Sequence, residues 1–173
     1  LALARVSVLR GEGPREGEPF IDDHIWTTEP IVDYLTQFSG IQPDDLDPKR
    51  TQRTLVSHKT AYKKLRMLTD LGCRFIGHGL AKDFRIINIF VPPSQVIDTV
   101  QLYHSPAHPR NLSLRFLSWF LLKKDIQQGL ALGVEQHDGH DSIEDALAAL
   151  QLFRKYEQFE RDGRLEDMLE LSL

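Results

Sequence analysis

Cys73-Arg74-Phe75-Ile76-Gly77-His78-Gly79-Leu80-Ala81-Lys82-Asp83-Phe84 reads as a short buried strand, a turn carrying two glycines, and the opening of a helix. The helix is expected to begin near Ala81 and run past Ile86, with Asp83 close to the surface. Upstream, Ala61, Leu65, Leu68 and Leu71 recur at helical spacing, between Ser57 as N-cap and Gly72 as the C-terminal stop. Downstream, Val96-Ile97 reads as another short strand ending at Asp98-Thr99. Helices that alternate with short apolar strands define an α/β chain, a mixed sheet flanked by helices.

The remaining elements extend this pattern. Leu1 to Leu9 alternates with the period-two pattern of a strand that has already begun, so the chain reads as one domain, 1–173, cut from something longer. A solvated turn over Gly11–Gly17 leads to a return strand starting at Phe20-Ile21. Pro30 is expected to open a short helix over Ile31–Leu35, broken by Ser39-Gly40-Ile41, with a polar surface loop over Gln42–Arg53. Leu112–Leu122 reads as an apolar helix buried around much of its girth, followed by a loop over Gly129–Gly139. The last long helix starts at Asp141, with Ile143, Ala146, Leu147, Leu150, Phe153 and Tyr156 as its core face. Arg164–Leu171 is a candidate terminal helix.

Composition excludes little. The 173 residues are 41% hydrophobic and 27% charged, with net charge −4 and pI near 6.0, which argues against a bulk polyanion binder. An enzyme that meets nucleic acid through bound metal ions and a local basic groove stays open. Cys73 stands alone, so no internal disulfide forms, as suits a reducing compartment. No apolar run approaches the ~20 residues that span a bilayer, so no membrane partner is expected.

Chemistry concentrates in His140-Asp141-Ser142-Ile143-Glu144-Asp145. Asp141 and Glu144 form a D-x-x-E capping box that fixes the helix start, places Asp145 in the first turn, and leaves His140 just outside. Asp145 on rigid backbone suits a cation, and His140, with an ordinary pKa of ~6.5, suits proton abstraction. Acids in a first turn also serve the helix dipole, a reading equally open for Asp83. Asp98 is a third acid, with capping of the next segment as its simpler role. His137-Asp138 and His140-Asp141 resemble the His-Asp pair of another metal phosphohydrolase class, but no matching helix histidines accompany them. His24, His58, His78, His104 and His108 are scattered and read as surface or structural. Seven Lys or Arg and no acid lie between Pro48 and Thr69, a stretch suited to steering phosphate, to a solvated helix face, or to protein docking.

The segments Gly77–Phe84 and His140–Ala146 resemble the second and third motifs of the DEDDh 3′→5′ exonucleases, whose fold is ribonuclease H-like. Leu3–Gly11, Pro30–Ile41, Asp44–Pro48 and Leu112–Trp119 narrow the resemblance to the catalytic nuclease domains of poly(A)-nuclease deadenylation complexes. That resemblance implies a poly(A)-specific exoribonuclease that shortens mRNA tails and releases AMP with two Mg²⁺ ions, for which Mn²⁺ can substitute. Asp83 and Asp145 would be metal ligands and His140 the general base, while Phe38, Ser39, Gly40, Ile41 and Leu80 would lie near the terminal nucleotide. Implied partners are poly(A) RNA, a regulatory pseudokinase-like subunit and, indirectly, poly(A)-binding protein, with the cytoplasm and its mRNA-processing bodies as location.

One family feature is absent. The first motif, an Asp-x-Glu on a preceding central strand, occurs nowhere in the sequence, so that strand is expected upstream of Leu1. Two rival readings remain: a related exonuclease trimming other RNA or DNA 3′ ends, and a catalytically inactive ribonuclease H-like binding module.

Overall fold

Strands β1 (Arg5–Leu9) and β2 (Pro19–Trp26) form an antiparallel hairpin, and β3 (Leu55–Ser57) adds parallel to β2 with His24 opposite Leu55. This is a computed structural model, and it describes residues 3–104, 110–127, 140–165 and 168, without the side chains of Gln37 and Phe38. After β3 come α2 (His58–Asp70), β4 (Phe75–Gly77) and α3 (Leu80–Ile87). Strand β5 (Val96–Asp98) pairs parallel with β4 and runs into the short α4 (Thr99–Leu102). The chain closes with α5 (Leu114–Leu117), a π-turn (Ser118–Leu122) and the long α6 (Ser142–Arg161). Mixed strands with helices on both sides match the α/β expectation.

Alternation along β1 sets the layers. Val6 and Val8 point into a core with Leu65 and Tyr62 of α2, Ile87 and Phe84 of α3, and Phe75 of β4. Arg5 and Ser7 point the other way, toward the start of α6, where Arg5 Nη1 donates to Asp141 Oδ1 at 3.1 Å and the Ser7 and Ser142 hydroxyls lie 2.6 Å apart. Asp22 Oδ1 accepts from both Arg5 Nε (2.7 Å) and Ser7 (2.8 Å), so this polar seam is satisfied from both strands.

Helix α6 buries two faces, which corrects the single core face expected for it. Ala148, Leu152, Tyr156 and Phe159 pack with Tyr103, Leu114, Leu117 and Ile126 of the helical layer. Another side meets the hairpin, where Arg154 reaches Gly11 O (2.6 Å) and Glu16 Oε2 (3.0 Å). Its fully buried positions are Ala148, Ala149, Leu150 and Leu152, while Ile143, Ala146, Leu147, Phe153 and Tyr156 are half-buried.

Other expectations also shift. The helix expected over Ile31–Leu35 does not form; α1 spans Thr36–Ser39 instead. Asp33 Oδ1 accepts from Leu35 N at 2.8 Å, and Leu35 turns left-handed (φ 49°), so a right-handed helix can start only after it. Gly40, at φ 66°, ends α1 where a break was expected. Strand β3 was not legible, because three residues carry no periodicity. The strand expected at Cys73–Ile76 begins at Phe75, since Cys73 N donates to Leu68 O and completes the α2 exit. Within Gln42–Arg53, Pro43–Asp45 forms a 3₁₀ turn and Leu46 is buried, so the loop is more than surface. Over Leu112–Leu122 the helix is shorter and one-sided, with Leu117 and Ser118 buried and Phe116 and Trp119 exposed. Strand β1 begins at Arg5; Leu1, Ala2, His108, the Gly129–Gly139 loop with His137-Asp138, and most of Arg164–Leu171 lie outside the described residues.

Leu152 has no solvent exposure and sits at the centre of the helical layer. Leu152→Ala is expected to destabilise the fold by about 2–5 kcal/mol, read as a lower urea midpoint at unchanged slope.

Candidate active site

Three carboxylates stand at helix beginnings. Asp83 lies in the first turn of α3, Asp145 in the first turn of α6, and Asp98 caps α4 from the end of β5. Strand β4 hands the chain to α3 through a left-handed Gly79 (φ 81°), and a Cβ on the preceding Gly77 would lie 2.4 Å from the Leu80 side chain. Glycine at 77 therefore lets Leu80 lie flat over the turn.

Asp98 organises this corner. Its carboxylate accepts Gly79 N (2.8 Å), Leu80 N (2.9 Å) and Val100 N (3.0 Å), covering the exposed donors of two helix starts. Capping of the following segment is as expected, and the bonds to residues 79 and 80 add a tie between the two βα turns. His78 is half-buried beside it. Thr99 gives its single hydroxyl proton to Gly77 O (3.0 Å) and so accepts from His78 Nδ1 (2.9 Å). Burial holds the His78 pKa below the ordinary value, against the pull of Asp98, the Leu112 backbone and Asp145.

Asp145 has two differentiated oxygens. Oδ1 accepts Gln127 Nε2 at 2.8 Å, and Oδ2 lies 3.3 Å from His140 Nδ1. An ionised carboxylate only accepts, so Nδ1 carries the proton and Nε2 is left as the base. The capping box expected for α6 is only half present. Asp141 accepts from Ile143 N (2.9 Å), but Glu144 Oε2 takes Gln127 N (3.2 Å) instead of turning back.

Asp83 feels both other acids. More than a third of its surface is open, yet partial burial pushes its carboxyl above the ordinary range. Lys82 opposes this shift, while the negative fields of Asp98 and Asp145 add to it. Two acids 62 positions apart in the chain thus converge within one electrostatic neighbourhood, with His140 attached to one of them. Their hard oxygens suit Mg²⁺, which is commonly held by one or two carboxylates plus waters and substrate phosphates. Among the described residues no third His, Cys, Asp or Glu completes a preformed cage.

Ser39, Gly40 and Ile41 form a self-tied corner. Ser39 Oγ donates to Tyr34 O (2.8 Å) and accepts Ile41 N (3.1 Å), while Thr36 Oγ1 donates to Ile41 O (2.7 Å). None of these bonds reaches the carboxylates, and the Phe38 side chain lies outside what is described. The basic stretch is largely neutralised: Arg50 pairs with Asp44 and Asp47, Arg53 with Asp45, Lys64 with Asp23 and Arg66 with Asp70. Gln127 was not foreseen, since a lone glutamine after an apolar helix gives no pattern.

A ribonuclease H-like α/β fold with helix-mounted acids beside a histidine defines a nuclease, and the comparisons agree. The exonuclease family profile (RNase_T) matches residues 1–153, and the chain belongs to that family, which implies dependence on a divalent cation. It is 60% identical over 98% of its length to "PAN2-PAN3 deadenylation complex catalytic subunit PAN2" of Chaetomium globosum, and 54% identical over 98% to the Schizosaccharomyces pombe subunit. It spans only 14% and 15% of those relatives' lengths. The Neurospora crassa Pan2 catalytic unit (protease and nuclease domain) superposes with TM-score 0.91 at 58% identity, covering 98% of this chain and 26% of that one. A Saccharomyces cerevisiae Pan2 module in complex with AAGGA RNA gives 0.86 at 44%, covering 98% and 27%.

The raised Asp83 pKa has a stability consequence. Its contribution is present below the ordinary carboxylate pKa and lost as pH rises through the raised one, so the ionised form weakens the metal-free fold at neutral pH. Asp83→Asn is therefore expected to raise the melting temperature at pH 8, with the gain shrinking as pH falls through the carboxylate range. Equal melting of the two proteins at pH 8 would contradict the raised Asp83 pKa.

Proposed function

We propose that this chain is the nuclease domain of a poly(A)-specific 3′→5′ exoribonuclease that shortens mRNA tails and releases AMP. The observation that carries the reading is the convergence of Asp83 and Asp145 beside His140. Adenine preference and the deadenylation role are supported by relatives named as deadenylation-complex subunits and by the yeast module bound to adenine-rich RNA. A regulatory pseudokinase-like subunit, an indirect link through poly(A)-binding protein, and a cytoplasmic location belong to the same proposal.

Asp83 and Asp145 would hold two Mg²⁺ ions, with Mn²⁺ as a substitute. Bound there, such cations lower the pKa of water and offset charge on the reacting phosphate. The residues do the rest. Asp145 fixes the His140 tautomer, and His140 Nε2 takes the proton of the attacking water. The water oxygen bonds to the terminal phosphorus, the bond from phosphorus to the upstream 3′ oxygen breaks, and that oxygen leaves with a proton. Phe38, Ser39, Gly40, Ile41 and Leu80 would seat the terminal nucleotide, helped by the rigid hydrogen-bonded corner over Tyr34–Ile41.

Two carboxylates do not balance two divalent cations. The Asp-x-Glu strand would supply the other two and pair between β1 and β4, each of which has one strand neighbour among the described residues. Helix α6 contacts both β1 and β4, so one helix packs against both strands between which that strand would lie.

In the full-length protein, Asp83→Ala or Asp145→Ala is expected to abolish Mg²⁺-dependent shortening of oligo(A). Retained activity would remove that residue from the metal site. His140→Ala should lower the rate about 10²–10⁴-fold with metal binding kept. An unchanged pH–rate profile in that variant would argue against its role as base. Comparing oligo(A) with mixed-sequence RNA and DNA separates a deadenylase from a general exonuclease.

A further inference from the structure

Gln127 sits outside every motif that suggested a function, yet two of its groups are committed to adjacent residues of the site. Its backbone N–H donates to Glu144 Oε2 at 3.2 Å, and its side-chain Nε2 donates to Asp145 Oδ1 at 2.8 Å. The residue is nearly buried (9% exposed) and its backbone is left-handed (φ 60°), a conformation that a non-glycine residue adopts only when its surroundings impose it. The anchor is Ile126, buried in the core of α5 and α6. The Gln127 side chain is therefore delivered to the α6 first turn by a rigid mount.

We infer that Gln127 is a positioning residue: it holds Asp145 Oδ1 and so fixes how that carboxylate meets a divalent cation, a role that rests on the nuclease reading above. With Oδ1 occupied by the amide, Oδ2 is the oxygen turned toward His140. The rotamer that serves the base is thus the rotamer the amide selects. A neutral donor is the right chemistry for this task. Lysine or arginine at 127 would also bind the carboxylate, but would cancel the negative charge that attracts the cation. Hydrogen bonds to metal-binding carboxylates commonly govern affinity through orientation alone. The Glu144 bond is the matching backbone restraint, which explains why the expected capping box is not closed.

The test compares full-length wild type, Gln127→Met (similar length, no donor), Gln127→Asn (donor kept, one methylene short) and Asp145→Ala. Mn²⁺ binding is followed by the loss of the free-ion electron paramagnetic resonance signal, and Mg²⁺-dependent oligo(A) shortening is measured alongside. The Met and Asn variants are expected to need about 10–100-fold more cation for half-saturation, with KM for oligo(A) unchanged. A merely structural role would lower the active fraction without moving the cation requirement, and that result would overturn the inference. So would an unchanged Mn²⁺ titration in both variants while Asp145→Ala loses binding. Unchanged binding in Asp145→Ala as well would fail the nuclease reading itself, and the inference with it. Should Gln127→Met melt below the assay temperature, the Gln127→Asn titration decides.

Discussion

Like charges held together are the constraint on which this structure turns. Asp83 sits in the fields of both Asp98 and Asp145, an unfavourable placement that the fold maintains. Each acid is handled differently. Asp98 is saturated by three backbone N–H groups, so its charge is spent on two helix starts. Asp145 is shared between Gln127 and His140. Asp83 has no hydrogen-bond donor among the described residues, and partial burial, with the fields of Asp98 and Asp145 adding to it, pushes its carboxyl up. That gradation from spent to frustrated charge separates the structural acid from those available to a cation.

The parts of this arrangement that were legible in the sequence are the local ones. A glycine-bounded turn before Asp83 and a histidine before the capped helix carrying Asp145 are short-range patterns, and both form as expected. Asp98 was legible as a cap but not as the tie between turns, because its bonds to Gly79 and Leu80 span 19 and 18 positions. Glu144 fitted a capping box by spacing, yet Gln127 N competes for the same oxygen from 17 positions away. Sequence spacing cannot weigh a local acceptor against a distant donor. The helix over Ile31–Leu35 was misplaced for a local reason: Pro30 permits a first turn, but Asp33 captures the Leu35 amide two residues on and a turn forms instead.

Charge at longer range follows the same logic. By sequence alone the basic run from Lys49 to Arg66, which holds no acid, suits phosphate steering, a solvated helix face or protein docking. In space, Asp23, Asp44, Asp45, Asp47 and Asp70 come to meet it from outside the run. These pairs are mostly exposed and worth little individually, but together they remove most of the strip's reach. A chain of net charge −4 then has little general attraction for a polyanion. On the proposed reading, recognition would be local, through cations at the carboxylates and contacts at the chain end, which suits an enzyme that grips a terminus more than one that coats a strand.

Left-handed backbone recurs beside the candidate site residues, as it does at several positions elsewhere. Leu35 and Gly40 bracket α1, Gly79 precedes Leu80, and Gln127 meets Asp145. At three of these places side-chain hydrogen bonds hold the neighbourhood: Asp33 and Ser39 around α1, Asp98 at Gly79, and Glu144 at Gln127. Such bonds fix a loop without needing an apolar core beneath it. The two cores lie to either side, behind α2 and α3 and between α4, α5 and α6, and they hold the helices whose first turns face the site. The candidate site residues are therefore mounted on helix starts clamped by polar side chains, and weakening a core should loosen the whole platform. Removing a clamp should shift one carboxylate and leave the platform standing.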